Sequence, residues 1–300
     1  MKRKNKSSIS QARTAYGMIT PAMLIIMGLG LFPVLFTLWF SLNDVNPGSL
    51  VTKFVGLKNY AEVMSTHAFW NSLKITLYFS VVSVIIQIIL GTLTALLLNQ
   101  NFKGRGFVRG IILIPWAVPT IVNANLWKWI FNANAGILNK VLLKLHLIDE
   151  NIVWLGSGKL AINMIILSDT WKMLAYVIWV LNGYFKSVPF ELEEAGRVDG
   201  CSWNQVFWKI IMPTALPGYV AVGVLAFLMA WDEFLYALIF TTSKTSKTLT
   251  VAVSEFGTKY GIDYGMMMTA GLLATVVPMV LALIFQRYIV GGLTAGAVKG

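Results

Sequence analysis

Three long stretches of the chain contain no charged residue: positions 14–43, 75–102 and 264–286. Each is longer than the roughly 20 residues that an α-helix needs to cross the hydrocarbon core of a bilayer. A helix of that length at the edge of a soluble core would carry a charged face toward water, and these three carry none. The pattern therefore predicts three membrane-spanning helices.

Three further apolar stretches contain prolines or charges and are predicted to span the membrane as well. The third span carries Pro115 and Pro119, which are tolerated where neighbouring helices or water satisfy the freed carbonyl groups. The fourth span carries an acid and a base, and the fifth carries two acids. We thus predict an all-α membrane protein with six transmembrane helices. The six predicted spans cover residues 16–42, 73–99, 110–131, 161–185, 215–240 and 266–290.

Composition and charge support the membrane interpretation and exclude other classes. The chain has 300 residues, of which 57% are hydrophobic and 12% charged, whereas a soluble domain carries about 25% charged residues. Its net charge is +11, but the Lys and Arg residues flank the spans and form no basic face with interleaved aromatics, so no nucleic acid is expected. The lone Cys201 excludes an intramolecular disulfide, and the isolated His146 lacks the further ligands of a zinc site.

The residues before the first span predict the orientation. A basic cluster without any acid should stay in the cytoplasm, and six spans then return the C-terminus to the same side. We expect a cytoplasmic tail over 1–15, a single six-span domain over 16–290 and a second cytoplasmic tail over 291–300, in the plasma (inner) membrane of a bacterial-type cell. The basic residues are Lys2, Arg3, Lys4, Lys6 and Arg13.

The three loops on the external side are short. They cover about 43–72, 132–160 and 241–265, and none is large enough for an independent domain. Within the second loop, Val141–Ile148 is apolar apart from Lys144 and His146. This segment is a candidate for a short helix at the membrane interface.

A polar island, residues 186–213, separates the fourth and fifth spans. Pro189 fits the first turn of a helix, and the acidic residues that follow it would lie near the positive end of the helix dipole. Gly200 permits a left-handed turn, and Ser202 with Gln205 has the spacing of a capping box for a second helix. We expect the second helix to be limited before the fifth span by Pro213 and Pro217. The sequence predicts a helix, a glycine turn and a second helix on the cytoplasmic side.

This island resembles the coupling loop of ABC importer permeases. Glu194-Ala195-Gly196 is followed by Gly200, Ile210 and Met212-Pro213 at the spacing of the family pattern, which has Ala in place of Gly196 and Leu in place of Met212. The resemblance implies the type I permease fold, with the island docked on an ATPase. From periodicity alone, a solvated loop that only connects two spans is the alternative. The candidate coupling residues are Glu193, Glu194, Ala195, Gly196, Asp199, Gly200, Ile210 and Pro213.

Other segments resemble the carbohydrate branch of these importers. Phe54–Tyr60 resembles an external segment of sugar-type permeases, and Trp231-Asp232-Glu233-Phe234 resembles their Trp-Asn-Glu signature, with Asp for Asn. Gly291–Gly300 resembles the tail of a maltose-type permease subunit that reaches into the ATPase dimer. The resemblance implies a sugar or related solute, a second permease subunit that we expect to be a different chain, two ATP-binding subunits and an external sugar-binding protein. ATP and Mg would bind to the partner subunits, so no cofactor and no catalytic residue is expected in this chain.

Polar and aromatic residues inside the spans are candidates for the solute pathway, because a charge in a membrane usually faces the protein interior or water. Asp169, Lys172, Tyr176 and Trp179 share one helical face. They could bind sugar hydroxyls and pack on a sugar ring, or the acid and base could simply neutralise each other within the helix. The candidate pathway residues are Asn123, Asn125, Asp169, Lys172, Tyr176, Trp231, Asp232 and Tyr236.

Two other function classes have weaker support. For a membrane enzyme, the chain lacks the His-Glu-x-x-His and Gly-x-Ser-x-Gly patterns, and Gly156-Ser157-Gly158-Lys159 lacks both the earlier glycine and the following Ser or Thr of a phosphate loop. An ion-coupled secondary transporter could use Asp169, but it would have no ATPase to dock. A permease for a solute other than a sugar is the remaining alternative.

Overall fold

The computed structural model describes residues 6–45, 52–241, 246–258 and 261–295. Lys2, Arg3 and Lys4 of the predicted basic cluster lie outside the described residues, as does the end of the predicted C-terminal tail, 296–300. Two short π-helical segments, π1 (Ile26–Leu31) and π2 (Phe207–Ile211), continue α-helices without a break. The helices are α1 (Lys6–Ile25), α2 (Phe32–Ser41), α3 (Lys58–Ser65), α4 (His67–Asn99), α5 (Arg105–Ala117), α6 (Thr120–Ile130), α7 (Ile137–Lys144), α8 (Gly158–Ser187), α9 (Phe190–Val198), α10 (Trp203–Val206), α11 (Met212–Trp231), α12 (Leu235–Phe240), α13 (Leu249–Ser254) and α14 (Tyr264–Ala295).

Two small antiparallel hairpins complete the secondary structure of the described residues. Strands β1 (Asn43–Val45) and β2 (Thr52–Phe54) pair with Asp44 opposite Lys53. Strands β3 (Gly257–Thr258) and β4 (Gly261–Ile262) form the other hairpin. Both hairpins lie in loops predicted to be external, and their strands are only two or three residues long.

Five helical stretches of the described residues are long and apolar enough to cross a membrane, and a bent pair makes up to six. Stretches 13–41, 67–99, 158–187 and 264–290 correspond to the first, second, fourth and sixth predicted spans. Four of the predicted spans are thus confirmed as helices. The other two differ from the prediction in ways that matter for the site.

The third predicted span is broken and is not one helix. Helices α5 and α6 meet at an angle of 94°. Val118 between them is extended and Pro119 is the N-cap of α6, which follows from the steric restriction that a proline places on the residue before it. Pro115 lies within α5 without ending it. The kink therefore forms at the second proline, where the chain changes direction inside the apolar stretch.

The fifth predicted span is wrong at both ends. A continuous helical stretch runs from Trp203 to Trp231 through α10, π2 and α11, so neither Pro213 nor Pro217 separates the polar island from the span. Segment π2 ends two residues before Pro213. Because a proline has no N–H to donate to the preceding turn, a wider turn at this point accommodates the missing hydrogen bond. At the other end, helix α11 stops at Trp231 and the chain resumes as the short α12.

The chain divides into two compact units. One comprises Met1–Thr66 and Ser254–Leu273, and Asn59 organises its hairpin: the Asn59 side chain donates to the Ser41 and Asn43 carbonyls at 3.0 and 2.9 Å. The Thr269 hydroxyl donates to the same Ser41 carbonyl at 3.2 Å. The predicted division into two cytoplasmic tails, 1–15 and 291–300, and one six-span domain, 16–290, stays a prediction.

The other unit comprises His67–Val253 and Ala274–Gly300, and its centre is the packing of α4 on α8. The backbones approach closely at Gly91, where an added Cβ would lie 2.6 Å from Val177 Cγ1. Small residues allow such approach between membrane helices. Helix α4 turns a buried polar stripe inward, and this stripe consists of Ser72, Thr76, Ser80, Ser83 and Gln87. Gln87 Nε2 donates to Asp169 Oδ2 of α8 at 3.0 Å, and both side chains are buried.

We predict that Gln87→Leu destabilises the protein by about 1–3 kcal/mol, because it leaves the buried Asp169 carboxyl without its donor. The double variant Gln87→Leu/Asp169→Leu should recover part of the loss, since it removes both polar partners. Thermal unfolding in detergent, followed by size-exclusion chromatography, measures both. A single variant as stable as the wild type would contradict the structural importance of this bond.

Candidate functional site

The polar island, residues 186–213, forms two helical segments joined by a tight turn, which we call the coupling segment. Helix α9 begins at Phe190 with Pro189 as its N-cap, one residue earlier than the first-turn position expected for this proline. Glu191 and Glu193 lie in the first turn of α9 and Arg197 lies in the last. This distribution complements the helix dipole at both ends.

The turn after α9 is a Schellman motif centred on Gly200. Gly200 has a φ of +84°; its N–H donates to the Arg197 carbonyl at 3.1 Å, and the Cys201 N–H donates to the Gly196 carbonyl at 2.9 Å. These two bonds satisfy carbonyl groups that the helix end would leave open. A Cβ at Gly200 would meet nothing within 4 Å. The requirement for glycine at this position therefore comes from the backbone conformation and not from crowding.

Side chains reinforce the turn on both sides. The Arg197 guanidinium donates to the Cys201 carbonyl at 2.6 Å and lies 4.7 Å from the centre of the Trp203 ring. The predicted capping box is present: Ser202 and Gln205 bond each other's backbone N–H groups at 3.3 and 2.8 Å. The sequence pattern predicts no role for Arg197 or Trp203. An arginine and a tryptophan six positions apart, on either side of a glycine turn, can however form a cation–π pair.

Gly196 explains one departure from the family pattern. It is buried, and a Cβ placed on it would lie 2.4 Å from Ile210 Cδ1 and 3.4 Å from Val206 Cγ2. Glycine at this position lets α9 lie directly on the helix that follows the turn. Gly196 and Ile210, both predicted as coupling residues, thus contact each other and hold the two halves of the segment together.

The other side of α9 is exposed and carries both acidic and apolar groups. Val198 is 85% exposed, which is unusual for a valine in a helix, and Leu192 is exposed as well. The remaining coupling candidates Glu194, Ala195, Asp199, Gly200 and Pro213 are exposed, while Glu193 is half-buried. We call the exposed face formed by Glu191, Leu192, Glu194, Ala195 and Val198 the coupling surface. An apolar patch of this kind, edged by acids, is typical of a surface that contacts another protein.

A cleft of about 930 Å³ lies on the other side of the coupling segment, between the end of α4, the end of α8 and α9. Asn99 and Gln100 line it from α4 and the loop that follows, and Phe190, Glu193 and Trp203 line it from the coupling segment. The coupling segment therefore contacts the ends of the spans only along part of its length.

The charged candidates of the fourth span make hydrogen bonds to other helices and not to each other. Asp169 accepts from Gln87 of α4, and the Lys172 ammonium donates to the Thr120 hydroxyl in the first turn of α6. Lys172 thereby reaches the break between α5 and α6. Glu233 interacts electrostatically with both Asp169 and Lys172. These three ionisable side chains form a polar centre beside the break in the third span.

The aromatic candidates lie in different surroundings. Tyr176 is half-buried, with its ring centre 6.4 Å from that of Trp116 in α5. Trp231 is buried and its Nε1 donates to the Ala274 carbonyl of α14 at 3.1 Å. Tyr236 is fully buried, and its hydroxyl has no hydrogen-bond partner among the described residues.

Asp232 and Tyr236 are four residues apart within the predicted fifth span, which would place them one turn apart on one helix, and this placement is wrong. Asp232 is the C-cap of α11, Phe234 is the N-cap of α12, and the helix is interrupted between the two candidates. Asp232 is exposed, whereas Glu233 points inward and accepts the Tyr236 N–H at the start of α12. The Glu233 carbonyl also accepts from the Thr250 hydroxyl at 2.6 Å. The adjacent acids thus have separate surroundings, and Glu233 belongs to the polar centre.

The two asparagines of α6 also differ. Asn123 is buried, and neither of its amide atoms has a partner among the described residues. Asn125 is exposed and donates to the Ile121 carbonyl one turn earlier at 2.8 Å. Gln87 and Thr120 were missed by sequence reasoning, because they carry no charge and lie in helices far from α8 in the sequence. Among the described residues, no group of three or more His, Cys, Asp or Glu side chains could hold a metal ion.

Comparison with solved structures agrees with the predicted fold. The chain superimposes with a TM-score of 0.79 on one chain of a bacterial alginate ABC transporter that was crystallised in complex with an alginate pentasaccharide-bound periplasmic protein. The match covers 95% of this chain and 96% of that chain at 19% identity, so it concerns the fold alone. The predicted six-helix importer permease fold is confirmed.

Two proteins of Thermococcus litoralis are similar in sequence. The trehalose/maltose transport system permease protein MalF is 32% identical over 284 residues, which is 94% of this chain and 96% of MalF. The trehalose/maltose transport system permease protein MalG of the same organism is 40% identical over 124 residues, which is 41% of this chain and 45% of MalG. The family model for binding-protein-dependent transport system inner membrane components matches residues 87–294. These matches agree with the prediction of a transport subunit that is not itself an enzyme. The chain belongs to the family of inner membrane components of binding-protein-dependent transport systems.

Proposed function

We propose that the chain is one permease subunit of an ATP-driven importer and forms half of the translocation pathway for a sugar, such as a disaccharide or an oligosaccharide. The relatives named for trehalose and maltose transport and the alginate transporter with a similar fold support a carbohydrate substrate. The Trp231–Phe234 segment, which resembles the signature of sugar-type permeases, supports the same substrate class.

The partners follow from the same proposal. The second permease is a different chain, and this is supported by the similarity to both the MalF and MalG proteins of one organism. Two ATP-binding subunits hold ATP and Mg and dock on the coupling surface. A sugar-binding protein delivers the solute on the external side, and both termini lie in the cytoplasm with the coupling segment.

The coupling segment is the observation that carries this proposal. Its turn is fixed by two backbone hydrogen bonds, a capping box and a cation–π pair, so the exposed face of α9 is rigid. Helix α10 continues through π2 into α11 without a break. A displacement of the coupling surface by the closing ATPase dimer would therefore act directly on the fifth span. Packed helices transmit such a rigid-body motion because the interfaces and cores between them do not deform continuously.

The polar centre is the proposed pathway region. Asn123 and Tyr236 carry buried polar atoms without partners among the described residues, and such atoms in a membrane protein need water or a ligand. Asp169 and Lys172 lie one helical turn apart on α8, and Tyr176 follows one turn later. These groups offer donors, acceptors and an aromatic face, the chemistry by which a sugar is recognised.

Coupling can be tested at the glycine turn and at the exposed acid. Gly200→Val should lower uptake strongly and Gly200→Asn mildly, since asparagine tolerates a positive φ better than a β-branched residue. Glu194→Gln should weaken co-purification of the ATPase by removing a charge-assisted hydrogen bond. The measurements are uptake of labelled sugar in cells and the yield of co-purified subunits from the tagged chain.

Glu150→Gln is the control, because it removes an exposed acid from a loop that is predicted to be external and lies outside the coupling surface. Normal uptake in both Gly200→Val and Glu194→Gln would refute the coupling role. Purification without any ATP-binding subunit, together with uptake that follows an ion gradient, would favour a secondary transporter.

The pathway can be tested with Asp169→Asn, Tyr176→Phe and Asp232→Asn, measured one at a time for complex yield, ATPase activity and uptake. A pathway residue lowers uptake or changes sugar preference at normal yield, whereas a structural residue lowers yield. Because Asp232 is exposed and Glu233 faces the polar centre, we add Glu233→Gln and expect a larger effect from it. Normal transport by every variant would refute this pathway and leave the family assignment intact.

The orientation is testable with reporters fused before position 1 and after position 300. Because the basic cluster should hold the N-terminus in the cytoplasm and six spans return the chain, a reporter active only outside the cytoplasm should stay silent at both ends. A fusion inserted in the loop at 149–150 serves as the active control. Activity at either terminus would contradict the six-span topology.

A further inference from the structure

Helix α7 carries an apolar stripe that no described residue covers. Ile137, Val141 and Leu145 follow one another at four-residue intervals and are 60%, 46% and 60% exposed. The opposite side of the helix carries Asn139, which is buried. The exposed stripe is therefore the outward face of a helix whose inward face is already used.

The inward face is fixed by a fully satisfied asparagine. Asn139 Nδ2 donates to the Ala133 and Ile152 carbonyls, each at 2.9 Å. Its Oδ1 accepts from the Ile152 N–H at 3.3 Å and from Trp154 Nε1 at 2.8 Å. These bonds tie α7 to the loop on both sides of it, so the direction of the apolar stripe is set by the fold.

The corner between α6 and α7 is equally tight. A Cβ on Gly136 would lie 2.3 Å from the Asn132 carbonyl oxygen and 2.5 Å from the Ile130 carbonyl oxygen. The Asn132 side chain caps the same corner by accepting from the Asn134 and Ala135 N–H groups at 3.0 and 2.9 Å. Helix α7 is thus held at the end of α6, the second half of the broken span.

Helix α6, which adjoins α7, also carries exposed apolar side chains. Val122, Leu126 and Trp129 recur on one exposed face of α6, and Trp129 in its last turn is 71% exposed. Tryptophan at the end of a spanning helix is typical of the interfacial aromatic belt. The exposed Lys140 and Lys144 flank the α7 stripe on one side, where their stems can lie on lipid while the ammonium groups reach the headgroups.

We propose that α7 is an amphipathic anchor that lies in the membrane surface, with Ile137, Val141 and Leu145 in the acyl region and Lys140 and Lys144 against anionic phospholipid headgroups. The charge of the lysines and the attachment of α7 to the end of the broken third span select lipid over a protein partner. The anchor sets the depth of the end of α6 and so holds the broken span in place. It does not depend on the solute transported, and its failure leaves the proposed function unaffected.

The single native cysteine makes a site-directed test practical. In a Cys201→Ser background of the full chain, Val141→Cys is labelled with an environment-sensitive fluorophore and reconstituted in nanodiscs. Asn134→Cys, exposed in the adjoining corner, is the matched control. Quenchers are a nitroxide carried at a shallow position on lipid and a water-soluble nitroxide. Ile137→Cys, on the same stripe, replaces Val141→Cys if that variant gives poor yield.

The label at position 141 should lose about twofold more fluorescence to the lipid-borne quencher than the label at 134, as expected for an apolar face at the acyl boundary. Lys140→Gln/Lys144→Gln should reduce this quenching in phosphatidylglycerol nanodiscs and change it little in phosphatidylcholine nanodiscs. Quenching at 141 by the water-soluble reagent alone would overturn the proposal. Shielding at 141 that appears only after another protein is added would overturn it as well, in favour of a protein interface.

Discussion

Helices α4 and α8 meet along the buried stripe that ends at the Gln87–Asp169 hydrogen bond, and the rest of the unit from His67 onward packs around this pair. An acid inside a membrane protein is tolerated only where a partner or water meets it. Gln87 provides that partner one helical turn before the close contact of Gly91 with Val177. Helix α5 of the broken third span packs against α8, and α11 of the fifth span packs against both α4 and α8. Both interrupted spans therefore rest on the α4–α8 pair.

The two interrupted spans face each other in this framework. Helix α6 packs against α12, and their buried side chains form one apolar cluster that includes Ala124, Phe131, Tyr236 and Phe240. Discontinuous helices near the middle of a transporter leave backbone and side-chain groups free to meet a solute. Here the interruptions lie next to the polar centre of Asp169, Lys172 and Glu233. Ionisable side chains therefore lie at the breaks, and apolar side chains pack beyond them.

At the other end of the fifth span, the rigidity of the turn and the continuity of the helix matter more than the chemistry of individual side chains. The coupling segment contributes no catalytic group, and its value lies in a rigid turn and in an exposed face of fixed shape. Its second helix is the first part of the fifth span, so α9, which carries the coupling surface, packs against the same element that ends at the polar centre. Gly196 and Ile210 keep α9 against that element.

The sequence alone determined what depends on neighbouring residues: charge-free stretches long enough to span a bilayer, the Ser202–Gln205 capping box and the left-handed glycine turn. Local chemistry decides these features, because a bilayer does not satisfy backbone polar groups and a positive φ favours glycine. Only the tertiary structure decided the 94° bend, the end of α11 at Trp231 and the partners of the buried charges. The bond between Gln87 and Asp169 joins residues 82 positions apart, and no local pattern encodes which helices meet.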